Sequence, residues 1–173
     1  MREKDRRREI LRYVYAVVKR AGEEEGLFTT AVHKLVYFAL LEGGGDVKEF
    51  YVPYFYGPFS FWVAYALDTL TFSGYITREE QELGKKFKVL ETEKEVPQER
   101  AVEELLKKLS TVGVGVNQIE DLSILAKVHW LITQGGVPKD PDELVSAAQE
   151  LNWKIKKDDA EKALKRLERM GYA

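Results

Sequence analysis

Four cations near the C-terminus, Lys162, Lys165, Arg166 and Arg169, recur at the i, i+3, i+4, i+7 spacing that sets them along one face of a helix. Such a stripe can track a row of phosphates, and Lys154, Lys156 and Lys157 stand just before it, where a turn would deliver them to the same track. The chemistry on offer is electrostatic attachment to duplex DNA; the competing reading is a solvated helical face. A second basic cluster, Arg2, Lys4, Arg6, Arg7, Arg8 and Arg12, has the charge of an arm for a minor groove or phosphates, but Glu3, Asp5 and Glu9 interleave with it and favour ion pairs on a helix surface.

Groups for bond-making chemistry are sparse. His33 and His129 are the only histidines, and each lies in a run of apolar helix residues, the setting of a packed core imidazole and not of a base or metal ligand. The absence of cysteine removes disulfides, thiolate nucleophiles and thiolate zinc sites together. The triplet from Gly43 and the pair Gly113 and Gly115 lack the preceding strand and following helix start of a phosphate-cradling loop. No carboxylate falls in a segment that reads as both buried and polar. A non-enzymatic protein is expected, with no cofactor and no metal.

These side chains need elements to hold them, and the chain marks two such elements with the same ending. Ala66-Leu67-x-x-Leu70-x-x-x-Gly74-Tyr75 returns as Ala163-Leu164-x-x-Leu167-x-x-x-Gly171-Tyr172. Leucines three apart share a helical face, glycine supplies the left-handed residue that ends the helix, and the aromatic packs back on the core. This is how the third helix of a winged helix-turn-helix finishes. Apolar periodicity predicts helix one over residues 10–21 with a charged lead-in, and helix two from Thr29 or Thr30, as its cap, to the triplet at Gly43. Residues 47–56, with Pro53 inside, suggest an edge strand or extended arm. Pro58 is expected at the first turn of helix three, over residues 59–73, and residues 75–77 and 86–91 are expected to form a two-stranded wing.

Pro97 lies in a charge-rich stretch that predicts a boundary, followed by a connecting helix over residues 99–109 and three more helices near residues 119–134, 142–151 and 158–170. The expected fold class is mainly α with a small β component, α+β. Two winged helix-turn-helix-like units are expected in tandem, residues 1–97 and 98–173, the second without a full wing.

Helix three of the first unit is unsuited to reading bases. Residues 59–75 contain no Lys, Arg, Asn or Gln, and the helix is apolar nearly all the way round, which predicts burial on every side. Tyr56, Phe59, Phe61, Trp62 and Tyr65 would then pack either within the chain or against a protein partner or a second copy. A net charge of −2 gives the whole chain no bias toward polyanions, so nucleic-acid binding would need a local patch. The charged N-terminus and the interrupted apolar stretches predict neither a signal peptide nor a membrane span, and a cytoplasmic address follows.

Lys34-Leu35 with Tyr37-Phe38, and Tyr56-Gly57-Pro58 with Ser60, resemble in order the K-L-x-Y-F helix and Y-G-P-x-S turn of the YwgA-like proteins and the SocA-like Panacea antitoxin domains. The resemblance covers about residues 29–76. It implies a non-enzymatic regulator or adaptor in which Lys34, Leu35, Tyr37, Phe38, Gly57, Pro58 and Ser60 are structural signature positions. Leu40 departs from that pattern, where an acidic residue is usual. The expected function is binding of a protein partner through the aromatic unit; the alternative is a transcription regulator that binds duplex DNA through its C-terminal helix.

Overall fold

The computed structural model describes residues 1–90 and 92–173. The fold is mixed α and β: seven helices and two small antiparallel sheets among the described residues. Helix α1 (Glu3–Ala21) has Glu3 and Asp5 in its first turn and Lys19 and Arg20 in its last, each complementing the helix dipole. Its Ile10, Val14, Val17 and Val18 face the core. Strand β1 (Leu27–Phe28) leads into α2 (Thr29–Glu42), whose residues 31–40 are all buried. That helix is the axis of the molecule, with α1, α3, α4 and α5 packed around it.

After a 3₁₀ turn (Val47–Glu49) come β2 (Val52–Tyr54), β3 (Gly57–Phe59) and α3 (Phe61–Phe72). Strands β4 (Ile76–Gln81) and β5 (Gly84–Val89) follow, in a sheet of order β1-β5-β4. Four helices complete the chain: α4 (Glu99–Thr111), α5 (Ile119–Thr133), α6 (Pro141–Glu150) and α7 (Lys157–Met170). The buried residues of both halves form one core cluster, because α4 lies on α1 and α2 while α5 lies on α2 and β3. No helix of the described residues is long and apolar enough to cross a membrane.

The repeated ending is the same closure twice. Gly74 and Gly171 have φ of 81° and 84°, and the amides of Tyr75 and Tyr172 donate to the carbonyls of Leu70 and Leu167 at 3.0 and 2.8 Å. Tyr75 then packs near Tyr15, and Tyr172 stacks on Phe38.

Several local expectations are corrected. Neither Thr29 nor Thr30 caps α2; both are inside the helix, and Phe28 at the cap position makes no side-chain cap bond. Pro58 does not open helix three. It sits in β3 opposite Pro53, and Ser60 Oγ, accepting from the Val63 amide at 3.1 Å, starts α3 instead. The expected strand over residues 47–56 is shorter, because its first residues form the 3₁₀ turn. The first wing strand is longer than expected and the second begins two residues earlier, so the two meet at a tight turn; residue 91, the last expected position of the second, lies outside the described residues. Burial of α3 on every side is also wrong. Val63, Ala66, Leu67 and Leu70 face the core, while Phe61, Tyr65 and Phe72 are 61%, 56% and 95% exposed.

Candidate binding site

Strands β2 and β3 are joined by Phe55-Tyr56 alone, and Gly57 closes the turn at φ 110°, a conformation that side chains oppose. The turn backbone rests directly on two lysines. A Cβ on Gly57 would lie 3.0 Å from Lys127 Cγ and 3.4 Å from Lys34 Nζ. Lys34 is 3% exposed, and its ammonium donates to the Pro58 carbonyl at 2.7 Å. Burial lowers its pKa to about 7, and the charge of Lys127 adds to the effect. Lys127 is half-buried; burial lowers it too, against the pull of Glu120.

His33 lies flat against Phe59, ring centroids 4.5 Å apart, and neither ring nitrogen has a hydrogen-bond partner among the described residues. Burial, reinforced by Lys34, holds its pKa at about 3. His129 is held at about 4 by burial and hydrogen-bonds Tyr37. Both imidazoles are therefore neutral members of the core at pH 7. No group of three His, Asp or Glu among the described residues could hold a metal.

The candidate aromatic residues divide. Phe59 and Trp62 turn inward, Trp62 against Phe50, whereas Tyr56, Phe61 and Tyr65 face solvent. Tyr54 and Phe55, not expected to be exposed as a group, join them. Tyr54 contacts Phe55, Phe59 and Phe61 at 4.6, 5.2 and 6.0 Å between centroids, and Tyr54, Phe55 and Tyr56 are 44%, 69% and 80% exposed. Trp153 Nε1 donates to the Tyr54 carbonyl at 2.5 Å and so anchors this face to the C-terminal half. The resemblance positions Leu35, Tyr37, Phe38, Gly57, Pro58 and Ser60 are all buried, as is Lys34.

The basic residues divide as well. Lys162, Lys165 and Arg169 lie exposed on α7. Arg166, expected among them, is turned to Asp121 on α5 at 3.2 Å. Lys157 pairs with Asp142 at 3.4 Å, and Lys154 and Lys156 line a cavity of about 570 Å³ together with Lys127 and Tyr56. In the N-terminal cluster Arg2 and Arg7 pair with Asp5 and Glu3, as the interleaved charges suggested.

Two features escaped sequence reasoning. Glu99, a carboxylate that is in fact buried, accepts from Lys19 and Arg20 at 2.9 and 2.7 Å and from the Val96 amide at 2.8 Å. Lys127 was also missed, although it had a signal: Lys34 and Lys127 are each the lone charge in an otherwise apolar helical run. No protein-family profile matches the chain, and no curated protein matches it.

Proposed function

We propose that this protein is a non-catalytic binding protein that takes a protein partner on the aromatic face of its β2–β3 hairpin and α3. The observation that carries the reading is the cluster of Tyr54, Phe55, Tyr56 and Phe61, each 44–80% exposed, on a turn anchored by Trp153. Aromatic side chains left in water in one patch are the usual anchors of protein interfaces. The Panacea-like and YwgA-like resemblance points the same way, toward an adaptor or antitoxin-like regulator. Helices α1, α2 and α3 with the sheet β1-β5-β4 have the element order of a winged helix-turn-helix, and in this reading α3 holds protein instead of bases.

The test is capture of a copurifying protein by the full chain, reconstitution of the complex from purified components, and comparison with a Phe55→Ser/Phe61→Ser variant. A complex weakened tenfold or more in the folded variant is expected. A protein that neither self-associates nor reconstitutes with any captured partner ends this reading.

A second reading, duplex DNA binding, is favoured by one observation: Lys162, Lys165 and Arg169 are exposed and form no ion pair among the described residues. Anisotropy across a salt series, with all three changed to Ala, decides it; binding that weakens with salt and is lost in the variant is the positive result.

A further inference from the structure

The cavity beside Gly57 brings together five charged side chains, Lys127, Lys154, Lys156, Glu120 and Asp159, none within 4.0 Å of an ion-pair partner among the described residues. Thr30, Ser123 and Gln149 also line it, and their side chains make no hydrogen bond among the described residues. Elsewhere the same protein pairs its partly buried charges closely, as Glu99 with Lys19 and Glu42 with Lys108. Here the polar groups converge on space instead of on one another.

The balance of charge favours an anion. Three lysines face two carboxylates, and Lys34 lies beside Lys127 against the same side of Gly57, forming no ion pair among the described residues. Two ammonium groups beside one backbone turn repel each other, and a bound anion would offset that repulsion. Helices α5 and α7 also begin at this wall, and the cap positions, Gln118 and Lys156, provide no side-chain cap. Their first turns carry Glu120 and Asp121, and Asp158 and Asp159, which already complement the two helix dipoles, so the attraction for an anion rests on the lysines. The rest of the lining is apolar or aromatic, with Ile119, Ile124, Ile155 and Tyr56, and the volume of about 570 Å³ falls within the range of small-ligand sites.

We propose that this cavity binds a phosphate-bearing small molecule of nucleotide size, with the phosphate between Lys127 and Lys156 and the body of the ligand on Ile124, Ile155 and Tyr56. Glu120 and Asp159 then accept hydrogen bonds from hydroxyl or amino groups of that body. The site is independent of the protein-partner reading, and only Tyr56 borders both.

Calorimetric titration of the full chain at low salt with adenosine monophosphate, adenosine, inorganic phosphate and a short DNA duplex tests it. The monophosphate is expected to saturate a single site with Kd below about 1 mM, phosphate to bind more weakly, and adenosine not measurably. Lys127→Met and, separately, Lys156→Ala are expected to weaken the monophosphate tenfold or more, while Lys162→Ala/Lys165→Ala leaves it unchanged. Lys156 is exposed, so its variant reads binding even if Lys127→Met fails to fold. Inorganic phosphate binding as tightly as the monophosphate overturns the nucleotide-sized ligand. Failure of both to saturate a cooperatively melting protein, binding unchanged in both lysine variants, or saturation by duplex DNA alone overturns the site.

Discussion

The hydroxyl of Tyr37 and Nδ1 of His129 stand 2.6 Å apart in the core, one on α2 and the other on α5, and hydrogen-bond the two halves of the chain to each other. Burial lifts the Tyr37 hydroxyl far above the tyrosine range and holds His129 at about 4, so both are neutral at pH 7. Tyr37→Phe leaves Nδ1 without this partner and is expected to cost about 1–3 kcal/mol. A double-mutant cycle with His129→Leu should give a coupling near 1 kcal/mol; additive losses in denaturant melts would show that the bond does not join the halves.

Acid should unfold this protein through its histidines first. His33 and His129 are held at about 3 and 4, below the ordinary 6.5, so between those values the unfolded chain binds protons that the folded chain refuses. Stability therefore falls as pH drops below about 6.5. Glu42 and Glu99, lowered carboxylates, lose their contribution only from the carboxylate range downward, and Glu9, raised by burial, acts in the opposite sense. His33→Phe keeps the stack on Phe59 and removes two unpartnered nitrogens. Its urea midpoint is expected to match or exceed wild type at pH 7 and to pull ahead at pH 5; parallel curves would refute the assignment.

On the alkaline side the sign is the same for a different group. Lys34 is lowered to about 7 from 10.5, so its ammonium carries an unfavourable burial cost below pH 7 that disappears as pH rises toward 10.5. Lys127 acts in the same direction. Stability should rise from pH 7 to about 10, where the raised tyrosines Tyr13, Tyr37, Tyr51 and Tyr172 begin to oppose it. Lys34→Met should flatten this rise in thermal melts; an unchanged slope would place the cause elsewhere.

Gly57 carries the turn at φ 110° against the Lys127 stem and the Lys34 ammonium. Gly57→Ala combines an opposed backbone conformation with a 3.0 Å approach to Lys127 Cγ and should destabilise by about 2 kcal/mol. Gly74→Ala meets no atom of the described residues within 4 Å, so only its backbone term remains and the loss should be smaller. Equal losses would mean that the lysine contact is immaterial.

Exposed aromatics that serve a partner should be dispensable for the fold. Phe55→Ser and Phe61→Ser are expected to shift stability by no more than about 0.5 kcal/mol. A larger loss by chemical denaturation would make the face a structural element.

Much of the frame was legible because it rests on local rules. The helices from α4 onward, the two glycine closures and the core setting of both histidines follow from apolar periodicity, a left-handed residue and an unbroken hydrophobic run. Pro58 was misplaced because a proline suits a strand edge as well as a first helical turn, and only its partner Pro53 across the hairpin distinguishes them. The aromatic helix was misread as buried because composition counts apolar side chains, not the neighbours available to cover them. Lys154, Lys156 and Tyr56 could not be joined from spacing, since the cavity walls come from segments nearly a hundred residues apart.

The sequence by itself determined the helices and their glycine endings, since each depends on residues within a few turns of one another. Tertiary structure alone decided which aromatics stay in water, that Arg166 serves Asp121, and that two lone lysines meet at one glycine. Those outcomes depend on how α2, α5 and the hairpin pack, and packing brings together residues whose separation along the chain carries no periodic signal.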